Sequence, residues 1–574
     1  SAEVAFERAG HGAEAPETLL QNALLPEGAG YRRADVLLKD GVIAAIEAAG
    51  TLAAGSAAVV DCSERLMLPG FVNAHTHSVE HWARGLIKPL PLELWVLELI
   101  RHEPRGEAGW EGLESFAKTP AGAIGLSALH CGVESLLSGC TAVLDHLFVR
   151  DLDDLGAAVA AYKAVGIRAF IAPMLGDDMR HNENYIPNVP DAQARNACPP
   201  ACGCGAMGAG GVFRLDRCPR DPAKTDAMMA LWEEAVKRYH DPEGGIEIVI
   251  GPVSAYSASK ELISGAAALR AKYNLCGHTH LLETRAQALM AKQSLPTGSA
   301  VKFLHECGFL QLPGTSCAHA VWLEPEEVAL MASAGATAVH NPLSNLRLGS
   351  GVAPLEEYAA AGVNVAMGCD GACSSDGQDL LEALKLATIL RAVTTPEYRD
   401  WPEGRHTALE LAAKGGYRAV NMEGKAGELK VGCVADLSLW DLTSLALLPR
   451  TDPINLLVLG SRTQAPGAGP ALSDAFVRGR RVVERGDPTG VNLPKLREAL
   501  AKAQPEYRDP AATDPRAHPP IAAAEVEYRA AMGLANDAHR FGGAPPELRD
   551  YAPGRVTYDA SLPHSDHPDP TLPS

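Results

Sequence analysis

Between residues 69 and 370, short apolar runs alternate with longer stretches in which apolar residues recur every three or four positions. Eight runs read as buried strands: GFVNAHTH, TAVLDHL, IRAFIAPML, IEIVIGPV, LCGHTHL, SCAHAVWL, TAVHNP and VNVAMGCD. Intervening stretches such as SASKELISGAAALRAKY and EPEEVALMASAG have the spacing of helices. Strand followed by helix, eight times over, predicts an α/β chain folded as a (β/α)8 TIM-like barrel, which places function at the C-terminal strand ends. An open doubly wound sheet is the alternative, but it commonly binds its ligand with a Gly-rich phosphate loop, and none follows the first strand.

The two ends of the chain read differently. ETLLQNALL and ADVLLKDGVIAAIEAAG are β-like, the second turning at Asp40-Gly41, a hairpin signal. The pattern returns in GELKVGCVADLSLWDL and SDAFVRGRRVVERGD. Neither end supplies enough strands for a stable sheet alone, which predicts one composite β-sandwich built from both. The expected boundaries are 1–68 and 425–490 for that sandwich, 69–424 for the barrel with an insertion at about 178–224, and 491–574 for a terminal helix (KLREALAKA) and a Pro/Ala-rich tail, itself with a helix-like stretch in AAAEVEYRAAMGLANDAHRF.

Composition narrows the function. The 574 residues carry a formal charge of -19, which argues against sequence-independent nucleic-acid binding. No apolar run is long enough to span a bilayer, and no secretion signal is visible. Thirteen scattered cysteines point to a reducing interior rather than a disulfide framework. The expected compartment is therefore the cytoplasm, or an organelle interior after removal of a targeting segment. Cys198, Cys202, Cys204 and Cys218 lack the paired spacing of a structural zinc site and read as part of a surface insertion.

Polar residues at the ends of buried strands need a physical reason. His75 and His77 are two apart, so strand alternation points both the same way, and two imidazoles so placed can share one metal ion. His280 ends the fifth run with Glu283 three residues on, His319 lies within the sixth, and Asp370 ends the eighth. An ionised Asp370 there is disfavoured without a cation or several donors. Each residue alone reads equally as a satisfied core histidine or a turn aspartate; all of them at strand ends of one barrel read as a metal centre.

LPGFVNAHTH, HTHLLET, AHAVWL, HNPLSNLRLGSGVAPL and MGCDGACSS, in that order, resemble the amidohydrolase superfamily, in its branch of cytosine, guanine and S-adenosylhomocysteine deaminases and triazine hydrolases. The resemblance implies that His75, His77, His280 and Asp370 bind one divalent metal, zinc or sometimes iron. It also implies that Glu283 shuttles a proton and that His319 orients water or polarises substrate. Binuclear relatives carry a lysine or acid on a middle strand; IRAFIAPML and IEIVIGPV have neither near their C-terminal ends, which favours a single metal. His278 competes with His280 for the ligand role, and the Glu three residues later favours His280.

The activity expected is hydrolytic deamination of a purine, pyrimidine or related N-heterocycle, with Asp370 taking the water proton and Glu283 protonating a ring nitrogen. The alternatives are removal of chloride or an alkylamine from a triazine-like ring, opening of a cyclic amide, or a non-catalytic scaffold. For substrate contacts, Trp95, Trp82, Arg84, Arg180 and His181 are candidates beside His319, each with an ordinary structural reading. Asn341, Ser344 and Asn345 read as organisers of the seventh loop. The partners expected are a small-molecule substrate and a second copy of the chain in a homodimer or larger homo-oligomer.

Overall fold

The computed structural model describes residues 17–87, 89–102, 120–177, 221–395, 397–460 and 471–502. The Cys198–Cys218 cluster, Arg180, His181 and the helix-like stretch of the C-terminal tail lie outside them.

Strands β1 (Thr18–Glu27), β2 (Gly30–Lys39), β3 (Val42–Ala48), β4 (Ala58–Asp61) and β5 (Arg65–Pro69) come from the first part of the chain. Next come β6 (Phe71–Thr76), β7 (Cys140–Leu147), β8 (Arg168–Leu175), β9 (Ile246–Ile248), β10 (Gly251–Pro252), β11 (Gly277–Leu281), β12 (Thr315–His319), β13 (Thr337–His340) and β14 (Asn364–Met367). Strands β15 (Leu437–Asp441), β16 (Leu472–Val477), β17 (Arg480–Glu484) and β18 (Asp487–Pro488) complete the set.

The middle strands pair in parallel and in chain order, as β6–β7–β8 with β9 and β10 on β8, and as β11–β12–β13–β14. Parallel bridges Ile250–Gly277 and Ser254–His280 join the two groups. At the other side the Asp370 amide donates to the His75 carbonyl at 2.9 Å. Side chains alternate between two cores, as a buried parallel strand requires. Phe71, Val143, Ile171, Ala338 and Met367 pack toward the helices. Val72, Leu144, Phe170, Val339 and Ala366 pack with one another and with Tyr417 and Val420.

The helices start and stop where local chemistry dictates. Ser259 accepts the Leu262 amide at the start of helix Lys260–Tyr273, and Asn274 closes it in the left-handed conformation. Helix Pro325–Ala334 has proline in its first turn, a capping box from Glu324 and Glu327, and left-handed Gly335 at its end.

Both chain ends enter one nine-stranded sheet in which β15 pairs antiparallel with β5. The β2–β3 turn places Asp40 and Gly41 at φ 52° and 77°, as the hairpin signal requires. This sheet has its own core of Leu20, Val36, Ile43, Met67, Leu437, Leu439 and Phe476.

One buried carboxylate ties the sheet to the parallel strands. Asp436 accepts from Arg168 Nε at 3.2 Å, from Tyr417 Oη at 2.8 Å and from the Arg478 amide at 2.7 Å. The side chains of Arg168 and Asp436 are 4% and 0% exposed, so removing the acid strands a buried guanidinium. Asp436→Ala is expected to cost about 3–5 kcal/mol, the range for breaking a buried pair from one side. A denaturant midpoint unchanged from the parent would show that the node is not a structural tie.

Candidate metal centre

The C-terminal ends of β6, β7, β11 and β12, with the turn after β14, bring together His75, His77, His146, His278, His280, His319, Glu283 and Asp370. All but His280, itself largely enclosed, are buried. Two turns hold unusual backbone: His319 and Asp370 sit at φ 70° and 64°, in the left-handed region costly for residues with a Cβ. Strain of this kind persists where the surrounding structure over-determines it. Glycines beside them leave room for two buried side chains: a Cβ on Gly371 would lie 1.7 Å from Glu80 Oε2 and one on Gly368 would lie 2.2 Å from Asn341 Oδ1.

Hydrogen bonding decides which ring nitrogens face inward. His77 Nδ1 lies 2.6 Å from the His146 carbonyl and His280 Nδ1 lies 2.8 Å from the Val253 carbonyl, so both Nδ1 atoms carry protons and donate. Their Nε2 atoms then present lone pairs to each other at 3.1 Å. His75 is set similarly. Ser316 Oγ donates to the Gly277 carbonyl at 3.4 Å and accepts from His278 Nδ1 at 2.7 Å, so His278 Nε2 accepts from His75 Nδ1 at 2.8 Å. This leaves His75 Nε2 buried with no hydrogen-bond partner, aimed at Asp370 Oδ1 at 3.2 Å. His77 Nε2 is 3.5 Å from the same oxygen.

Several lone pairs and a carboxylate converging in a buried space repel one another unless a cation stands between them. A proton on one ring is opposed by burial, which pulls His75 well below its usual range and His280 to about 3. His77 is the exception: burial pulls it down, but Glu80 and Asp370 outweigh that pull and raise it. Burial also pushes Asp370 upward, yet His75, His319 and His77 hold it well below the carboxylate range. Neutral His75 and His280 beside an ionised Asp370 match the protonation states of metal ligands.

The spacing fits as well. Zinc–nitrogen bonds of about 2.0–2.1 Å put two donors of a tetrahedral ion about 3.3 Å apart. The separations of 3.1, 3.2 and 3.5 Å among His77, His280, His75 and Asp370 bracket that value. His75, His77 and Asp370 form one group able to hold a metal ion, and His75, His280 and His319 form another.

Glu283 and His319 flank this cluster. Glu283 Oε2 lies 3.5 Å from His319 Nε2, and its Oε1 accepts from Ser350 Oγ at 3.0 Å. Its backbone amide donates to Gln287 Oε1 at 2.7 Å. Burial pushes the Glu283 carboxyl above its ordinary range, with Asp370 adding and His319 opposing. His319 Nδ1 donates to Asn345 Oδ1 at 2.9 Å, so the HNPLSN turn holds this imidazole's orientation, and its Nε2 lies 3.8 Å from Asp370 Oδ2.

The other described candidates, Trp95, Trp82 and Arg84, have packing or hydrogen-bond partners of their own. Trp95 is buried with Ala83, Ile87, Leu92, Leu348 and Cys373. Trp82 Nε1 donates to the Ala123 carbonyl at 3.3 Å. Arg84 spends its guanidinium on Glu134 Oε1 at 2.6 Å and the Asp376 carbonyl at 2.7 Å.

Three neighbours were not singled out from the sequence. His146, at the end of β7, orients His77 through its carbonyl; its place at a strand end was the available signal. Glu80 accepts from Cys373 Sγ at 3.1 Å, and burial pushes its carboxyl to about 7. Glu93 accepts from Thr284 Oγ1 at 2.6 Å, and burial likewise takes it to about 7.

The chain is similar to a 5-methylthioadenosine/S-adenosylhomocysteine deaminase of Pyrococcus furiosus, with 28% identity over 476 residues covering 82% of this chain and 95% of that protein. Among solved structures, it resembles atrazine chlorohydrolase TrzN from Arthrobacter aurescens TC1 complexed with zinc (TM-score 0.69, 24% identity, 85% of this chain and 100% of that one). It also resembles an adenosine deaminase from Xanthomonas campestris with bound zinc (TM-score 0.65, 22% identity, 86% and 99%). The Amidohydrolase family matches residues 66–466, more than half of the sequence, and with the fold and the cluster already described the chain belongs to that family.

Proposed function

We propose that the protein is a metal-dependent hydrolytic deaminase of a purine nucleoside or related N-heterocycle. The proposal assigns one divalent cation, zinc foremost, to His75, His77, His280 and Asp370. The observation that carries it is the pair of inward Nε2 lone pairs 3.1 Å apart beside a buried carboxylate, an arrangement that asks for a cation. The parallel strands read as a closed (β/α)8 barrel over 69–424, and the nine-stranded sheet as the composite sandwich from 1–68 and 425–490. Their joining backbone contacts and separate cores support both readings.

When bound, a divalent cation lowers the pKa of a coordinated water from about 15.7 toward about 7. The rest of the chemistry belongs to side chains. Asp370, ionised and buried, accepts the proton of the attacking water. His319, fixed by Asn345, orients that water or the substrate. Glu283, raised by burial, passes a proton to the ring nitrogen beside the amino-bearing carbon and later takes one back from the added hydroxyl, while Asp370 gives the proton it took from water to the departing amine; the carbon–nitrogen bond breaks, ammonia leaves and the oxygen stays on the ring. The relative named as a deaminase of adenosine derivatives, matched over most of both chains, favours an adenine-type ring. The triazine hydrolase likeness is one of fold, and it supports dechlorination of a triazine ring only as the second reading.

The direct test is ammonia release from adenosine, S-adenosylhomocysteine, guanine, cytosine and triazine substrates. Adenosine-type compounds are expected to release ammonia fastest; chloride release from a chlorotriazine with no ammonia from any nucleoside would replace this reading with the second. Glu283→Gln is expected to lower kcat by about 10²- to 10⁴-fold, while inductively coupled plasma mass spectrometry finds the metal content of the parent. Loss of metal in that variant would show that Glu283 serves the centre's structure instead. His278→Ala removes the bond that aims His75 and is expected to weaken metal affinity about 10- to 100-fold in competition with a chromophoric chelator. Unchanged affinity would contradict the tautomer assigned to His75.

A further inference from the structure

A second cluster lies on the other side of the segment that follows His77. The short helix Ser78–Ala83 carries His81, and helix Pro120–Leu137 carries His130 and Glu134 one turn apart on one face. The ligand atoms of these three residues lie within 4.8 Å of one another. His81 Nε2 is 3.6 Å from Glu134 Oε2, His130 Nε2 is 3.4 Å from Glu134 Oε1, and the two rings are 4.7 Å apart.

The donor chemistry repeats that of the catalytic cluster. His81 Nδ1 donates to the Ser78 carbonyl at 3.0 Å, leaving Nε2 as a lone pair. That Nε2 and the Glu134 Oε2 it faces are both buried without a hydrogen-bond partner, and the His81 side chain is only 2% exposed. Two buried acceptors facing each other are costly unless a cation lies between them. Arg84 does not fill the place: its Nη1 is on the other carboxylate oxygen, at 2.6 Å, where it fixes the orientation of Glu134 as an outer hydrogen bond does for a ligating carboxylate. A metal cation bound by both atoms meets that requirement.

We propose that His81, His130 and Glu134 form a second divalent-cation site of zinc type, with two imidazoles and one carboxylate as ligands and a fourth position open to water. Side-chain exposures of 23% for His130 and 26% for Glu134 give solvent a path to that position. Two histidines and a glutamate suit zinc, which takes nitrogen and oxygen donors in tetrahedral geometry. An ion here would pin the segment directly after His77 to helix Pro120–Leu137, and so hold the first strand's metal-facing end from outside. The site shares no ligand with the catalytic one, so the two stand or fall separately.

The experiment is zinc stoichiometry of the full chain after zinc-supplemented expression and removal of loosely held metal, together with cobalt titration of the metal-free protein. The expected result is two equivalents in the parent, with one lost in His130→Gln or Glu134→Gln and a different one lost in His77→Ala. His130 is partly exposed on a helix face, so its Gln variant is the one chosen to keep the fold. If a variant fails to fold, the cobalt titration decides: saturation at two equivalents supports the site, and saturation at one overturns it. A parent with one equivalent that His77→Ala abolishes and His130→Gln leaves intact also overturns it, without touching the catalytic reading.

Discussion

Lone pairs that face each other in a buried space set the terms for the rest of the molecule. His77 and His280 have each committed an Nδ1 proton to a backbone carbonyl, and their Nε2 atoms meet at 3.1 Å with Asp370 alongside. Such a geometry is stable only around positive charge. Around them, the His75–His278–Ser316 hydrogen-bond chain aims a third imidazole at Asp370, which a left-handed turn holds in place. A buried charge without a partner costs several kcal/mol, so a cation held there would be coupled to the fold.

The scaffold supplies that rigidity through its ladder. Parallel strands in chain order place polar ends side by side, and the His75 carbonyl accepts the Asp370 amide, so the first and last of the clustered residues share a backbone bond. Behind them, Asp436 links strand β8, Tyr417 and the edge of the nine-stranded sheet in one buried network. The sheet therefore braces the strands beneath the site even though it contributes no group to it.

Much of this was legible from pattern. All eight apolar runs contain strands, and the Asp40-Gly41 turn is where the hairpin signal placed it, because period-two alternation and positive-φ turn chemistry are local properties. The convergence of His75, His77, His280, Glu283, His319 and Asp370 was legible because a polar side chain at a buried strand end is costly until an ion, a ligand or a hydrogen bond engages it. Partnerships were not. Nothing local says that Asn345 orients His319, that the His146 carbonyl sets the His77 tautomer, or that Arg84 is engaged by Glu134, since each depends on residues dozens of positions away. The carboxyls of Glu80 and Glu93 escaped notice for the same reason: in sequence they stand in ordinary amphipathic stretches, and what raises them is burial first, with the charges of Asp370 and Glu283 adding.

Anomalous X-ray scattering recorded on both sides of the zinc absorption edge reads out whether one cation sits among His75, His77, His280 and Asp370. The expected map has an edge-dependent peak within bonding distance of the three Nε2 atoms and an Asp370 oxygen. A map with no anomalous density there, and with the imidazoles turned to hydrogen-bond ordered water, would contradict the assignment.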